Sequence, residues 1–283
     1  MRTSRQKRAI VNADDFGFSP GVTEGILRVH REGIVTSTTI AANMPAAADA
    51  AGRLAEVPDL AVGVHLNVSQ GPALSAGGRQ LAGDDGVMHR TAVGVILDCA
   101  RRPRLLDAVE TEFDAQIRWA LDHGIRPTHL DSHRHAHGFP PIFARVAGLA
   151  RRYHIPFVRW FGEVLPGRHW PHAPAAQRRN SRVLNCFAAA NAGGGSDLRG
   201  ARGTWGVMHT GFIDADWLRR AARTLRSGVT EIMVHPGTGD DLEPAATRLR
   251  ATRQIEREAL CDPAVKDAFD RHGIEFTHYG RLR

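Results

Sequence analysis

Residues Arg8–Ile26 read "RAIVNADDFGFSPGVTEGI", and the two halves of this stretch follow different periods. Arg8–Phe16 is a short apolar run that ends in two acids, the pattern of a buried strand. At Ser19 the pattern changes. Ser19 is a good N-cap, and Pro20 falls at the first helical position, where the missing N–H is no loss. Val22, Ile26 and Val29 then recur at helical spacing until Gly33 supplies a stop. A strand that runs through a short turn into a helix is the repeating unit of α/β folds.

The alternation continues downstream. "IVTSTTIAAN" (Ile34–Asn43) and "LAVGVHLNV" (Leu60–Val68) read as strands, and Met44-Pro45 between them opens an alanine-rich helix to about Glu56. Residues 68–90 are glycine-rich and polar, a long loop of the kind that carries function. Leu106, Val109, Phe113, Ile117 and Ala120 mark a helix ending before Gly124. After it comes "PTHLDSHRHAHGFPP" (Pro127–Pro141), a helix from about Pro141 to Tyr153, and the strand-like "IPFVRWF" (Ile155–Phe161). Residues 163–203 are irregular, with a helix near 181–192. "GTWGVMHTGF" (Gly203–Phe212) and "VTEIMVHPG" (Val229–Gly237) read as strands either side of a helix capped by Asp214. Helices fill most of 243–271 before a last strand near "IEFTHY". Seven or eight strands with intervening helices predict a parallel sheet flanked by helices, and a distorted or incomplete barrel fits the count and length. A doubly wound open sheet is the runner-up. Its dinucleotide version loses support because no GxGxxG follows the first strand.

Bulk properties narrow the function classes. The 283 residues are 42% apolar and 24% charged, ordinary for a soluble globular chain. Three scattered cysteines, outside any CxxC spacing, argue against a disulfide framework or a cysteine-based zinc site. The N-terminus is basic but has no apolar core of a secretory signal, and no stretch offers the ~20 apolar residues of a membrane helix. The cytoplasm is therefore the expected location. A net charge of +7 and a pI of about 10.2 raise nucleic acid as a partner. The arginines are spread over the whole chain with no nucleic-acid-binding motif, so solvated helix faces account for them better and no nucleic acid is expected.

The chemistry gathers at the C-terminal ends of the expected strands. Strand one ends in Asp14-Asp15, the third in His65-Leu66-Asn67, the His-rich strand in Asp131-Ser132-His133, and a late strand in His235-Pro236-Gly237. In a barrel these ends share one mouth. Each piece alone has an ordinary explanation as a cap, a turn or a hydrogen-bonded core histidine. Together they suggest one carboxylate and two imidazoles with coordination positions left open, the pattern of a catalytic metal. Two imidazoles favour Zn²⁺ or another first-row ion over Mg²⁺. Alternation along an extended strand would place His129, Asp131, His133 and His135 on one face. Residues two apart are ~7 Å apart, so one ion cannot take them all. That periodicity leaves open which of these histidines binds. One of the adjacent Asp14 and Asp15 can ligate while its neighbour meets the attacking water, and His235 can protonate a leaving group.

"IVNADDFGFSPGVTEGI", "GIVTSTTIAANMP", "VGVHLNVSQGPAL", "PTHLDSHRHAHGFPPIF" and "EIMVHPG" resemble, in order, the motifs of the YdjC-like carbohydrate deacetylases. That group includes bacterial chitooligosaccharide deacetylases and a hopanoid-associated protein. The likeness is close over residues 8–160 and looser over 204–240. It implies a single domain over residues 1–283, a distorted (β/α) TIM-like barrel of the polysaccharide-deacetylase type with 68–90 and 163–203 as insert loops. It further implies one divalent metal ion (Mg or Zn) and hydrolysis of an N-acetyl group from an amino sugar, releasing acetate. Carried over by position, the metal ligands fall on Asp15, His65 and His133, with His135 as the fallback imidazole. The catalytic base falls on Asp14 and the general acid on His235. Asp131 is the expected partner of a ligand imidazole. Asn67 and Arg159 are candidates for substrate contact, Arg159 equally for an ion pair inside the mouth. Loop 68–90 would contact substrate or form a homodimer interface. Rival readings are another metal-assisted amidase or esterase on the same barrel, and a basic nucleic-acid-binding protein with a vestigial metal site.

Overall fold

The computed structural model describes residues 6–165, 170, 173–243 and 247–282. In chain order the strands are β1 (Lys7–Phe16), β2 (Ser37–Ile40), β3 (Ala61–Leu66), β4 (Gly71–Pro72), β5 (Val87–Met88), β6 (His129–Ser132), β7 (Phe157–Val158), β8 (Thr204–Trp205), β9 (Gly228–Val234) and β10 (Ile274–Thr277). The α-helices are α1 (Pro20–Glu32), α2 (Ala47–Gly52), α3 (Ala76–Arg79), α4 (Ala92–Arg101), α5 (Leu105–Asp122), α6 (Pro140–Arg152), α7 (Ala175–Gly195), α8 (Ala215–Thr224), α9 (Ala251–Cys261) and α10 (Pro263–Arg271).

Seven strands lie side by side in the order β7-β6-β3-β2-β1-β9-β8, all parallel. Followed around from β1, that is chain order, the winding of a (β/α) barrel. The distortion has two sources. First, β1 changes partner along its length: Lys7–Ile10 pairs with β10, and from Asn12 onward β2 takes over. Second, β7 and β8 share no ladder. Their seam is closed by one bridge between Val158 and Arg199 and by Thr204 Oγ1 donating to the Trp160 carbonyl at 3.0 Å. The two segments touch there through glycines, because a Cβ on Gly203 would sit 2.4 Å from the Gly162 carbonyl oxygen. β4 and β5 form a separate antiparallel ribbon in the β3–α4 connection.

The local signals act as the residue types require. The Ser19 side chain accepts from Val22 N at 3.2 Å at the start of α1, and Asp214 accepts from Trp217 N at 2.8 Å at the start of α8. Helix α5 buries Ala108, Val109, Phe113, Ile117 and Ala120 on one face. Three strands are shorter than their apolar runs suggest. Ladder bonds stop at Val158 and Trp205, and the His-rich strand stops at Ser132, where His133–Gly138 turns as a 3₁₀ segment with Arg134 and His135 at φ 52° and 61°. The expected alternation of His133 and His135 on one strand face therefore does not hold. The insert after β3 contains β4, α3 and β5 rather than loop alone. The helix expected near 181–192 runs from Ala175 to Gly195. Residues 166–169, 171 and 172 of the expected 163–203 insert lie outside the described residues, as do 244–246 of the expected late helices.

Candidate metal and acid–base site

Two adjacent acids reach the mouth because β1 bulges. Its register against β2 shifts between Ala13 and Phe16, and Asp15 takes a left-handed φ of 74°. For a non-glycine residue that conformation costs on the order of 1–3 kcal/mol, and bulges beside active sites re-aim side chains in this way. Asp14 thereby points at Arg159, and Asp15 turns to the histidines.

Asp15 Oδ1 lies 3.4 Å from His65 Nε2 and 3.3 Å from His133 Nδ1, and it accepts no hydrogen bond. A tetrahedral ion with bonds of ~2.0–2.1 Å holds its ligand atoms ~3.3–3.4 Å apart, so the three atoms fit a first-row cation. A buried carboxylate oxygen with no donor is the fault such an ion would repair. Asp15 Oδ2 is bound by the buried Arg253. Burial opposes the charge on Asp15, but Arg253 holds its pKa well below the usual carboxylate range.

His65 is oriented from behind. Its Nδ1 is 2.7 Å from Asp131 Oδ1, and Thr39 Oγ1 donates to Asp131 Oδ2 at 3.0 Å. Asp131 therefore fixes the tautomer that leaves Nε2 facing Asp15, the carboxylate–histidine arrangement of metal sites. Burial disfavours the imidazolium, yet Asp131 and the neighbouring acids raise the His65 pKa to about 10, so an ion taken up at Nε2 would displace a proton from it. Burial lowers the His133 pKa, and its Nε2 has no partner.

Below these groups Arg159 fills the barrel. It is fully buried and bonds Asp14 with two parallel contacts of 2.6 and 2.7 Å, Asp131 at 2.9 Å and Glu231 at 2.7 and 2.9 Å. The ion-pair alternative for Arg159 is what the fold builds; no donor remains to reach a substrate oxygen. Burial would raise the Asp14 pKa, but the Arg159 fork holds it low, and Asn12 Nδ2 adds a bond at 2.8 Å. Asp14, His65 and Asp131 also lie close enough to share an ion, but Arg159 and Thr39 already occupy the two carboxylates.

His235 directly follows β9, the strand next to β1. Its backbone N–H donates to Glu256 at 2.6 Å and its Nδ1 has no partner. Burial lowers its pKa to about 4 against the pull of Asp14 and Asp15, so the imidazole is neutral at neutral pH. The other histidines of the tract separate in space. His135 has an unpartnered Nδ1 and packs edge-on against Phe161, outside the Asp15–His65–His133 group. His137 is fully buried, with Nδ1 2.6 Å from Ser132 Oγ, and stays structural. His129 stacks on Tyr279 with ring centroids 4.0 Å apart. Asn67 is not open to substrate: its Oδ1 accepts from Ser69 and Gln70, and its Nδ2 donates to the Asn43 side chain and the Gln70 carbonyl. It locks the turn after β3.

Sequence reasoning missed Arg253, Glu231 and Glu256. Arg253 and Glu256 sit in an arginine-rich helix that reads as a solvated face. Glu231 carried a usable signal, since an acid inside an otherwise apolar parallel strand must be paired.

A "Carbohydrate deacetylase" of Brevibacillus brevis is 38% identical over 97% of this chain and 99% of its own length. One of Halalkalibacterium halodurans is 40% identical over 53% of this chain, and the match spans 62% of that relative's length. A solved Enterococcus faecalis V583 structure, provisionally described as a cellobiose-phosphate cleavage protein, superposes with a TM-score of 0.76 at 25% identity, covering 97% of this chain and 98% of its own. The model of the YdjC-like protein family matches residues 8–271, a span that holds every group of the site from Asp14 to Glu256, and the chain belongs to that family.

Proposed function

We propose that the protein is a metal-dependent hydrolase that removes the N-acetyl group of an amino sugar, a chitooligosaccharide or an N-acetylglucosaminyl glycoconjugate, and releases acetate. The observation that carries the proposal is the unpartnered Asp15 Oδ1 facing His65 Nε2 and His133 Nδ1, beside an Asp14 that Arg159 keeps ionised. Asp15, His65 and His133 would hold a divalent ion, which when bound acidifies a water and polarises an amide carbonyl. Asp14 is a weak base in its resting pairing, so it accepts a proton only from a strongly acidified water. Asp131 keeps His65 in the ligating tautomer. The proton that Asp14 takes from the water must reach the departing amine, and His235, neutral at rest, is the candidate to relay it. That the relatives are known as carbohydrate deacetylases supports the carbohydrate substrate.

A substrate panel tests the class of reaction. Metal-loaded enzyme is offered N-acetylglucosamine oligomers, monoacetylated sugars, glycolipid head groups, phosphorylated disaccharides and simple esters, and acetate is measured enzymatically. Acetate from at least one acetamido sugar supports the assignment. Turnover confined to an unrelated amide or ester would replace it with another hydrolase on the same barrel.

A further inference from the structure

The two oxygens of Asp15 have different fates. Oδ1 is unpartnered and faces the two imidazoles. Oδ2 is bound by Arg253 Nη2 in an ion pair whose side chains are 1% and 3% exposed. Arg253 cannot follow a rotating carboxylate, because its Nε donates to the Leu249 carbonyl at 2.9 Å and its own carbonyl accepts from Gly237 N at 3.3 Å. We infer that Arg253 is a positioning residue that makes Asp15 a one-oxygen ligand, and so biases the site toward small four-coordinate ions. With Oδ2 free, Asp15 would offer two oxygens to one ion, the mode favoured by larger, oxygen-preferring cations. Arg253 also sets a limit on charge. It offsets the formal charge of Asp15, which weakens the pull on every dication alike and leaves discrimination to ligand number and type. This inference rests on the metal reading of Asp15, His65 and His133.

The test needs no turnover. Metal-stripped wild type, Arg253→Met and Arg253→Lys are titrated calorimetrically with ZnCl₂ and MnCl₂, and circular dichroism checks the fold. Loss of a group that orients a metal ligand typically changes affinity ~10–100-fold. Arg253→Met is expected to shift the Zn/Mn affinity ratio at least about tenfold toward Mn²⁺, and Arg253→Lys, which keeps a cationic donor for Oδ2, to stay near wild type. A ratio within about twofold of wild type in folded Arg253→Met overturns the role. Should the methionine variant not fold, Arg253→Leu, which is shorter and likewise offers Oδ2 no donor, is held to the same criterion. Wild type that binds neither ion would sink the metal reading itself, whereas binding of both with an unmoved ratio sinks only the role of Arg253.

Discussion

At the scale of single residues, the four histidines of "HLDSHRHAHG" do four different things, and burial with partner identity separates them. His133 faces Asp15, His135 leans on Phe161, His137 ties down its own turn and His129 stacks on Tyr279 beneath the Arg159 cluster. His133→Ala should abolish stoichiometric Zn²⁺ binding, whereas His129→Ala should keep it while lowering thermal stability through loss of the Tyr279 stack. Calorimetric metal titration of both variants reads the difference, and equal loss in the two would undo the assignment. Strand periodicity could show that one ion cannot use all four. It could not show that the chain turns at Ser132 through two left-handed residues, because Arg134 and His135 carry no glycine-like signature. Asp14, Asp15, His65 and Asp131 were legible as polar ends of apolar strands. The engagement of Asn67 with its own turn was not, since an asparagine at a strand end serves a loop or a ligand equally well.

At the scale of elements, α9 contributes more than a packing face. One turn apart, Arg253 bonds Asp15 and Glu256 accepts the backbone N–H of His235, so one helix braces both ends of the site. Its arginines resemble those of a solvated helix in sequence, and only the fold shows which one points inward. Glu256 gives this bracing a pH signature. Burial raises its pKa from the ordinary 4.5 to about 7. In the fold it keeps its proton up to about pH 7, while in the unfolded chain it ionises near 4.5. The resulting stability is whole below about pH 4.5 and is lost as the pH rises through about 7, on the order of 3 kcal/mol in all. Glu256→Gln should therefore lose less melting temperature between pH 5 and pH 8 than wild type does. Parallel melting curves at the two pH values would contradict this if both proteins fall equally.

At the scale of the whole molecule, the strand–helix alternation made the barrel legible, while its distortion was hidden. The apolar runs of "IPFVRWF" and "GTWGVMHTGF" promise full strands, yet the ladders end after two residues each and the seam closes through Arg199, Thr204 and facing glycines. The interior holds a buried ionic core in place of the aliphatic layers common in such barrels: Arg159 joins Asp14, Asp131 and Glu231, and Tyr279 Oη donates to Glu231 at 2.8 Å. Removing the one cation shared by three buried carboxylates is costly. Arg159→Met should destabilise the protein by about 3–5 kcal/mol in urea denaturation at neutral pH, and a change below about 1 kcal/mol would mean that the cluster is relaxed by water. Among the described residues no helix is long and apolar enough to cross a membrane. The function proposed above makes Asp14 the base of a metal-dependent deacetylation at this barrel mouth. Acetate release from N-acetylglucosamine oligomers, measured beside metal content for wild type and Asp14→Asn, tests it most directly. Asp14→Asn should retain its metal and release acetate ~10²–10⁴-fold more slowly; turnover equal to wild type at equal metal content would remove Asp14 from the base role.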